Sequence, residues 1–399
     1  MSSAFFSSRP WPWSQWLSLL ALLAFSLWFP WQILATLHLG AYLGPGLGDA
    51  LSYQPLQNLW AQLDRYSALA GWLLRGGFVA LGLWIAAITF FSVIHYKKSV
   101  GAGFPWGKFW QLLLLNAVLA LSLAACTALL ALVAWLAGFD FASAYAFVGR
   151  GAVQLNAWVY AHIPTIVQLP RIVAFALIYT LAGFFHYWLH RVGHEFRAGW
   201  LLFHRPHHMP TVLTHPTTPP VFAAFPLFIV AFVPYVLIFG AISKLFYPEP
   251  LYAELIIYNA LAWVSGVFGH QTAFYELAYK NKFFYALSAF FGNGVHHYTH
   301  HAKEQQYSRH GSNMVNIGGG FLYVWDRVFG TYCQPPVQRP EVGLSEGVEL
   351  HFNPVRLAYA GILQMAYELR YNKGWGTRLK ILGGSSDWTP PITKDFALA

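Results

Sequence analysis

Long apolar runs separated by short polar connections dominate the chain. About 20 apolar helical residues cross a bilayer core of ~30 Å, and runs of that order recur at Trp16 to Leu37, Gly77 to Ile94, Trp110 to Ala137 and Arg171 to Leu189. Val221 to Gly240 and Ala253 to Phe268 form a further pair. Pro226 and Pro234 interrupt the first of these two, which makes it a candidate for a kinked or re-entrant segment. The pattern predicts an all-α integral membrane protein with about six transmembrane or re-entrant helices.

Lys97, Lys98 and Lys108 cluster in the short connection after the second run. The positive-inside tendency assigns that connection, and hence the N-terminus, to the cytoplasm. By parity the runs that end at His190 and His270 emerge on the same cytoplasmic face. From Tyr279 onward the chain is mixed and polar, the pattern of a cytoplasmic helical cap. Asn353-Pro354 reads as the N-cap and first position of an amphipathic helix through Arg370. Three regions follow: 1–170, three spans without an assignable motif; 171–334, which carries the chemistry; and 335–399, a C-terminal tail with its amphipathic helix.

Composition narrows the picture. With 57% hydrophobic and 10% charged residues and a mean hydropathy of +0.44, the 399-residue chain is not a soluble protein. Its net charge of +9 is scattered rather than gathered into a stripe, so nucleic-acid binding is excluded. Met1 to Gln15 holds one arginine and no small-residue cleavage site, so the first apolar segment is expected to be retained. Cys126 and Cys333 are the only cysteines, which leaves no thiolate metal site. Any metal chemistry must use imidazole.

Imidazole is abundant where it counts. His190 and His194 are four apart, which on a helix brings their Cβ atoms to ~5–6 Å on one face. His204, His207 and His208 follow; the spacing from His204 faces one way, while adjacent His207 and His208 diverge and can serve two different ions. His270 stands alone after its apolar run, and His297, His300 and His301 repeat the His-x-x-His-His spacing. Nine of the 17 histidines thus occupy four places on one predicted membrane face. Nine neutral imidazoles exceed the four ligands of one tetrahedral zinc site but fit two ions of four to five ligands each. Spacing alone does not choose among iron, zinc, copper and nickel.

At these residues the sequence resembles the fatty acid hydroxylase superfamily, the membrane-bound di-iron oxygenases that include sterol desaturases. The resemblance rests on His190-Arg-Val-Gly-His194, Phe203-His204-Arg-Pro-His207-His208, His270 and His297-Tyr-Thr-His300-His301. Asn316-Ile-Gly and Trp325-Asp326-Arg327-Val-Phe329-Gly330-Thr331-Tyr332 complete it. It implies two iron ions held by the nine histidines, with the first and second boxes each giving one histidine to either ion. It also implies O2 as co-substrate and an oxidoreductase that hydroxylates or desaturates a membrane lipid, the Trp325-to-Tyr332 segment favouring a sterol-like one. The chain carries no flavin, haem or dinucleotide fingerprint. A separate cytochrome b5-like, ferredoxin or rubredoxin donor is therefore implied.

Two departures accompany the match. Where many relatives carry an acidic residue about seven positions before the first box, this chain has Gly183, and His270 is followed by Gln271-Thr-Ala-Phe274 rather than by a second histidine. His186, His296, Asn316 and Asp326 are candidates for a supporting shell, Asp326 through a bond to a ligating histidine's free N–H or as an ion-pair partner of Arg191 or Arg327. His38, His95, His162, His215 and His310 are assigned no metal. The alternative from another class is a histidine-rich metal-ion transporter or metal-binding membrane protein, but its spans should carry ionisable residues, and these are almost bare of them. A zinc-dependent hydrolase would need a His-Glu-x-x-His pattern, which is absent.

Overall fold

The protein is described by a computed structural model covering residues 86–138, 157–218, 227–251, 269–307, 314–344 and 349–398, with isolated positions between them. Trp16 to Leu37, the start of Gly77 to Ile94 and most of Ala253 to Phe268 lie outside the described residues. Within them the fold is helical, and the only strand-like pairings are isolated bridges.

Helix α1 runs through 86–100 and α2 over Trp106–Leu136. At 1.5 Å per residue α2 is about 46 Å long, more than a bilayer core requires. Its first half is held by polar contacts: Gln111 donates to the His351 carbonyl at 2.6 Å and Asn116 to that of Pro216 at 2.6 Å. Farther along, Leu121, Leu129, Val133 and Leu136 are exposed.

Helix α3, Arg171–Glu195, follows Pro170 and stops where Phe196 turns extended. Among the residues described at side-chain level it is the helix long and apolar enough to cross a membrane. After a π-helical turn at Gly199–His204 and the short α4, Arg205–His208, comes α5, Leu227–Phe246. The run predicted to end at Gly240 continues helical to Phe246, and Lys244 donates to the Pro248 carbonyl just beyond. Ala174, Phe175, Ile178 and Ala182 of α3 pack with Phe239 of α5 and with Leu251, Leu255 and Tyr258.

Short helices α6 (Tyr275–Lys280), α7 (Lys282–Phe291), α8 (Val295–His300) and α9 (Val324–Val328) follow. The predicted C-terminal helix is α10, Pro354–Tyr371, with Asn353 accepting from the Val355 and Arg356 amides as its cap. α11 is Trp375–Gly383.

The C-terminal region packs against the body. Leu357 and Ala360 join Leu112, Leu115 and Leu119 of α2 and Met209 in one apolar cluster. A Cβ on Gly361 would fall 1.9 Å from the Leu201 carbonyl oxygen, so only glycine lets α10 press on the π turn. Beside it the buried Arg197 and Glu368 pair at 2.6 Å. These contacts fix the segment that carries the second histidine cluster.

Candidate metal centre

The 3.6-residue period of α3 puts His190 and His194 on one buried face, with ring centroids 5.2 Å apart. The chain then doubles back on itself. A Cβ on Gly199 would sit 2.8 Å from the Val192 carbonyl oxygen and 3.3 Å from the Gly193 Cα, an approach that the absent side chain permits. The returning π turn, closed by the Arg205 amide on the Trp200 carbonyl, presses His204 onto α3. The His204 ring centroid lies 4.7 Å from that of His190 and 4.1 Å from that of His194.

Helix α8 supplies the opposing face. Gly292 and Gly294, both at positive φ, and the carboxamide of Asn293 bonded to the Gly294 amide form the turn that launches it. It delivers His297, His300 and, at its C-terminal cap, His301.

Together these histidines make two adjoining groups. His190, His194, His204 and His300 form one and His207, His270, His297 and His301 the other, with the candidate ligand atoms of each group within 4.8 Å of one another. In the first, Nε2 to Nε2 distances are 3.1 Å for His190 and His204 and 3.1 Å for His194 and His300. In the second they are 3.0 Å for His270 and His297 and 3.2 Å for His297 and His301. His208 belongs beside the first: its Nε2 is 3.0 Å from that of His204, while its ring stacks on His301 at 4.4 Å.

The split corrects the sequence reading in one respect. Both first-box histidines fall in the same group rather than one in each. In each His-x-x-His-His box the outer two histidines instead keep together and the middle one crosses. His204 and His208 stand with the first group while His207 joins the second; His297 and His301 stand with the second while His300 joins the first. Each box therefore laces the two groups together.

Tautomers are set from behind. The Nδ1 of His190 is 2.6 Å from the Ile317 carbonyl, that of His300 2.7 Å from the Val315 carbonyl and that of His270 2.8 Å from the Gly266 carbonyl. A carbonyl only accepts, so each Nδ1 carries the proton and each Nε2 offers its lone pair inward. Burial, reinforced by neighbouring imidazoles, holds His204, His208, His297, His300 and His301 well below the usual histidine range. Neutral lone pairs converging at ~3 Å repel unless a cation lies between them. The all-imidazole donor set fits iron, zinc, copper or nickel.

The supporting residues differ from expectation in detail. Asp326 touches no histidine and pairs with neither Arg191 nor Arg327: its carboxylate accepts from the Ile317 amide at 2.7 Å, the Gly318 amide at 2.8 Å and the Thr331 hydroxyl at 2.7 Å. It thus holds the segment whose Val315 and Ile317 carbonyls orient His300 and His190. Asn316 sits at φ +51° in the middle of that segment, its amide exchanging hydrogen bonds with Cys333 at 2.8 and 2.9 Å. Arg191 pairs with Glu195 at 2.7 Å, and the Arg327 guanidinium lies 3.8 Å over the Tyr332 ring.

His296 is buried but outside both groups, its Nδ1 3.1 Å from the Ser288 hydroxyl and its ring stacked on Tyr323. His186 is also outside them, its ring centroid 6.3 Å from that of His190. Gly183 has a packing explanation: a Cβ there would lie 2.4 Å from the Gly320 amide nitrogen, so the 318–320 glycine turn rests directly on α3. Trp200 walls the site 5.5 Å from both His194 and His208. The carbonyls of Val315, Ile317 and Gly266 escaped sequence reasoning because a backbone oxygen leaves no residue-type signal.

Comparison with known proteins agrees with this geometry. No curated protein and no solved structure matches the chain. The fatty acid hydroxylase family model matches residues 175–331, the stretch that contributes all nine box histidines and the segment behind them. The family match over residues 175–331, together with the site geometry, supports membership of the fatty acid hydroxylase superfamily.

Proposed function

We propose that the protein is a membrane-bound oxidoreductase that uses two iron ions, O2 and external electrons to hydroxylate or desaturate a C–H bond of a lipid. The observation that carries this reading is the interlaced pair of histidine groups, eight inward-facing imidazoles with His208 beside the first group. The irons, when bound, would supply the O2 activation and hydrogen abstraction that no side chain performs alone. His190, His194, His204, His208 and His300 would hold one ion, and His207, His270, His297 and His301 the other.

The chain's own contribution is positional. Backbone carbonyls keep Nδ1 protonated on His190, His300 and His270, which leaves Nε2 free to bind, and the buried walls exclude water from the first group. His270 and His297 are partly open, so the second group is the side from which a substrate approaches. The site lies at the end of the apolar helix α3, as the attack on a bilayer-dissolved lipid requires. We assign that end to the cytoplasmic face of a multi-pass protein from the Lys97, Lys98 and Lys108 loop. A one-electron donor of cytochrome b5, ferredoxin or rubredoxin type would dock there, and a sterol-like substrate is the first to try.

The test is a lipidomic comparison of cells expressing the protein and its His207→Ala, His300→Ala double variant. A lipid gaining one oxygen atom, or losing two hydrogens, with the active protein alone supports the reading. Unchanged lipids together with altered metal uptake would favour a metal transporter.

A further inference from the structure

The C-terminal helix α11 has an apolar face that nothing in the chain covers among the described residues. Trp375, Leu379 and Leu382 are 79%, 64% and 44% exposed. Their spacing of four and three places them on one side of the helix. Ile381, on the other side, is fully buried and holds the helix to the body.

Its position is tied to the apolar helix α3. The Arg197 amide donates to the Gly384 carbonyl at 2.9 Å and the Ser386 amide to the Glu195 carbonyl at 2.8 Å, so the end of α11 is paired with the residues where α3 stops. Arg197 adds a bond to the Trp388 carbonyl at 2.6 Å. The last two turns of α3 expose Leu189 and Val192, and Phe196 just beyond them is exposed and bridges to Ser385, three residues past Leu382. Where α3 leaves the bilayer, α11 lies at the boundary.

Charge selects the lipid. Residues 370–398 hold Arg370, Lys373, Arg378, Lys380 and Lys394 against Asp387 and Asp395, and Asp395 is already paired with Arg205. Lys373, just before the helix, and Lys380, on it, are exposed. Trp at the rim, leucines at the centre and flanking cations match a helix lying in the headgroup layer.

We infer that α11 is an interfacial helix that rests on an anionic bilayer surface, with Trp375, Leu379 and Leu382 in the acyl boundary and Lys373, Arg378 and Lys380 among the lipid phosphates. This rests on the reading of α3 as a membrane span. It makes the C-terminal region a second attachment beside the metal centre, clamping the π turn and α4 through the Arg197 and Glu368 pair.

The experiment places single spin labels on the full chain, in a Cys126→Ser, Cys333→Ser background, at positions 375, 379, 382 and 387 and at position 177 within α3. The protein is reconstituted in nanodiscs of phosphatidylcholine with or without phosphatidylserine, and collision with O2 and with a water-soluble nickel chelate is measured. The expected result is O2-dominated relaxation at 375, 379, 382 and 177 and chelate-dominated relaxation at 387. Depth at the three α11 positions should increase with phosphatidylserine, and Lys373→Glu, Arg378→Glu, Lys380→Glu should abolish that increase. Chelate access at the α11 positions with 177 still in lipid overturns the inference alone. Chelate access at 177 overturns the span as well. Shielding from both reagents means that protein, whether residues 1–82 or a second copy, covers the face, and equal depth in both lipids overturns the anionic preference.

Discussion

Replacing Asp326 by alanine tests how the centre is held. The carboxylate is fully buried and receives three donors, the Ile317 amide at 2.7 Å, the Gly318 amide at 2.8 Å and the Thr331 hydroxyl at 2.7 Å. A hydrogen bond to a charged acceptor contributes ~1.5–3 kcal/mol, and a buried donor left alone costs about 1–3 kcal/mol. Three donors on one group do not add in full, so Asp326→Ala should destabilise the fold by ~3–5 kcal/mol. The same loss frees the Ile317 carbonyl that fixes His190, and removal of such a support typically weakens metal binding ~10–100-fold. Thermal unfolding of the metal-free protein in detergent reads the first effect, and competition with a chromogenic chelator reads the second. Asp326→Asn, which keeps the shape and one acceptor oxygen, should fall between. Unchanged unfolding would refute the burial argument. Reduced stability with undiminished metal affinity would refute the link from Asp326 through Ile317 to His190.

Other outcomes follow from the same contacts. Burial pushes the Asp326 carboxyl from 3.8 up to about 6, so between those values the folded chain binds more protons than the unfolded one. Its contribution to stability is therefore present at low pH, falls as pH rises through that window and is constant above it, and Asp326→Asn should remove this component from a stability-against-pH series. Gly183→Ala would put a Cβ 2.4 Å from the Gly320 nitrogen, forcing the 318–320 turn outward by about 1 Å at a cost of ~1–3 kcal/mol; an unshifted melting temperature would contradict the close packing. Glu368→Ala leaves Arg197 buried and uncompensated beside the π turn and should cost ~3–5 kcal/mol in denaturant or thermal unfolding.

The histidines were legible because a metal site needs particular residue types at particular spacings. Their sharing between two groups was not. On a regular helix His204 and His207 lie on one side, but the chain passes from a π turn to α4 at Arg205, and the altered rotation sends His207 across to His270 and His301 while His208 returns to His204. Asn353-Pro354 announced α10 because a cap is a local device, needing only the amides of Val355 and Arg356. Its packing against α2 and the π turn depends on Gly361 and Leu201, far apart in sequence, and left no periodic trace. Asp326 was visible as a polar residue in an aromatic stretch, but its partners are backbone amides, which every residue has.

The central claim is that the two histidine groups each hold an ion and that the middle histidines cross between them. Elemental analysis of the detergent-purified protein, with His300→Ala and His207→Ala as single variants, tests it most directly. The account predicts one iron per group in the parent chain, with each variant losing metal chiefly from one group and the double variant from both. Iron absent from the parent, or a metal content that neither substitution changes, would contradict it.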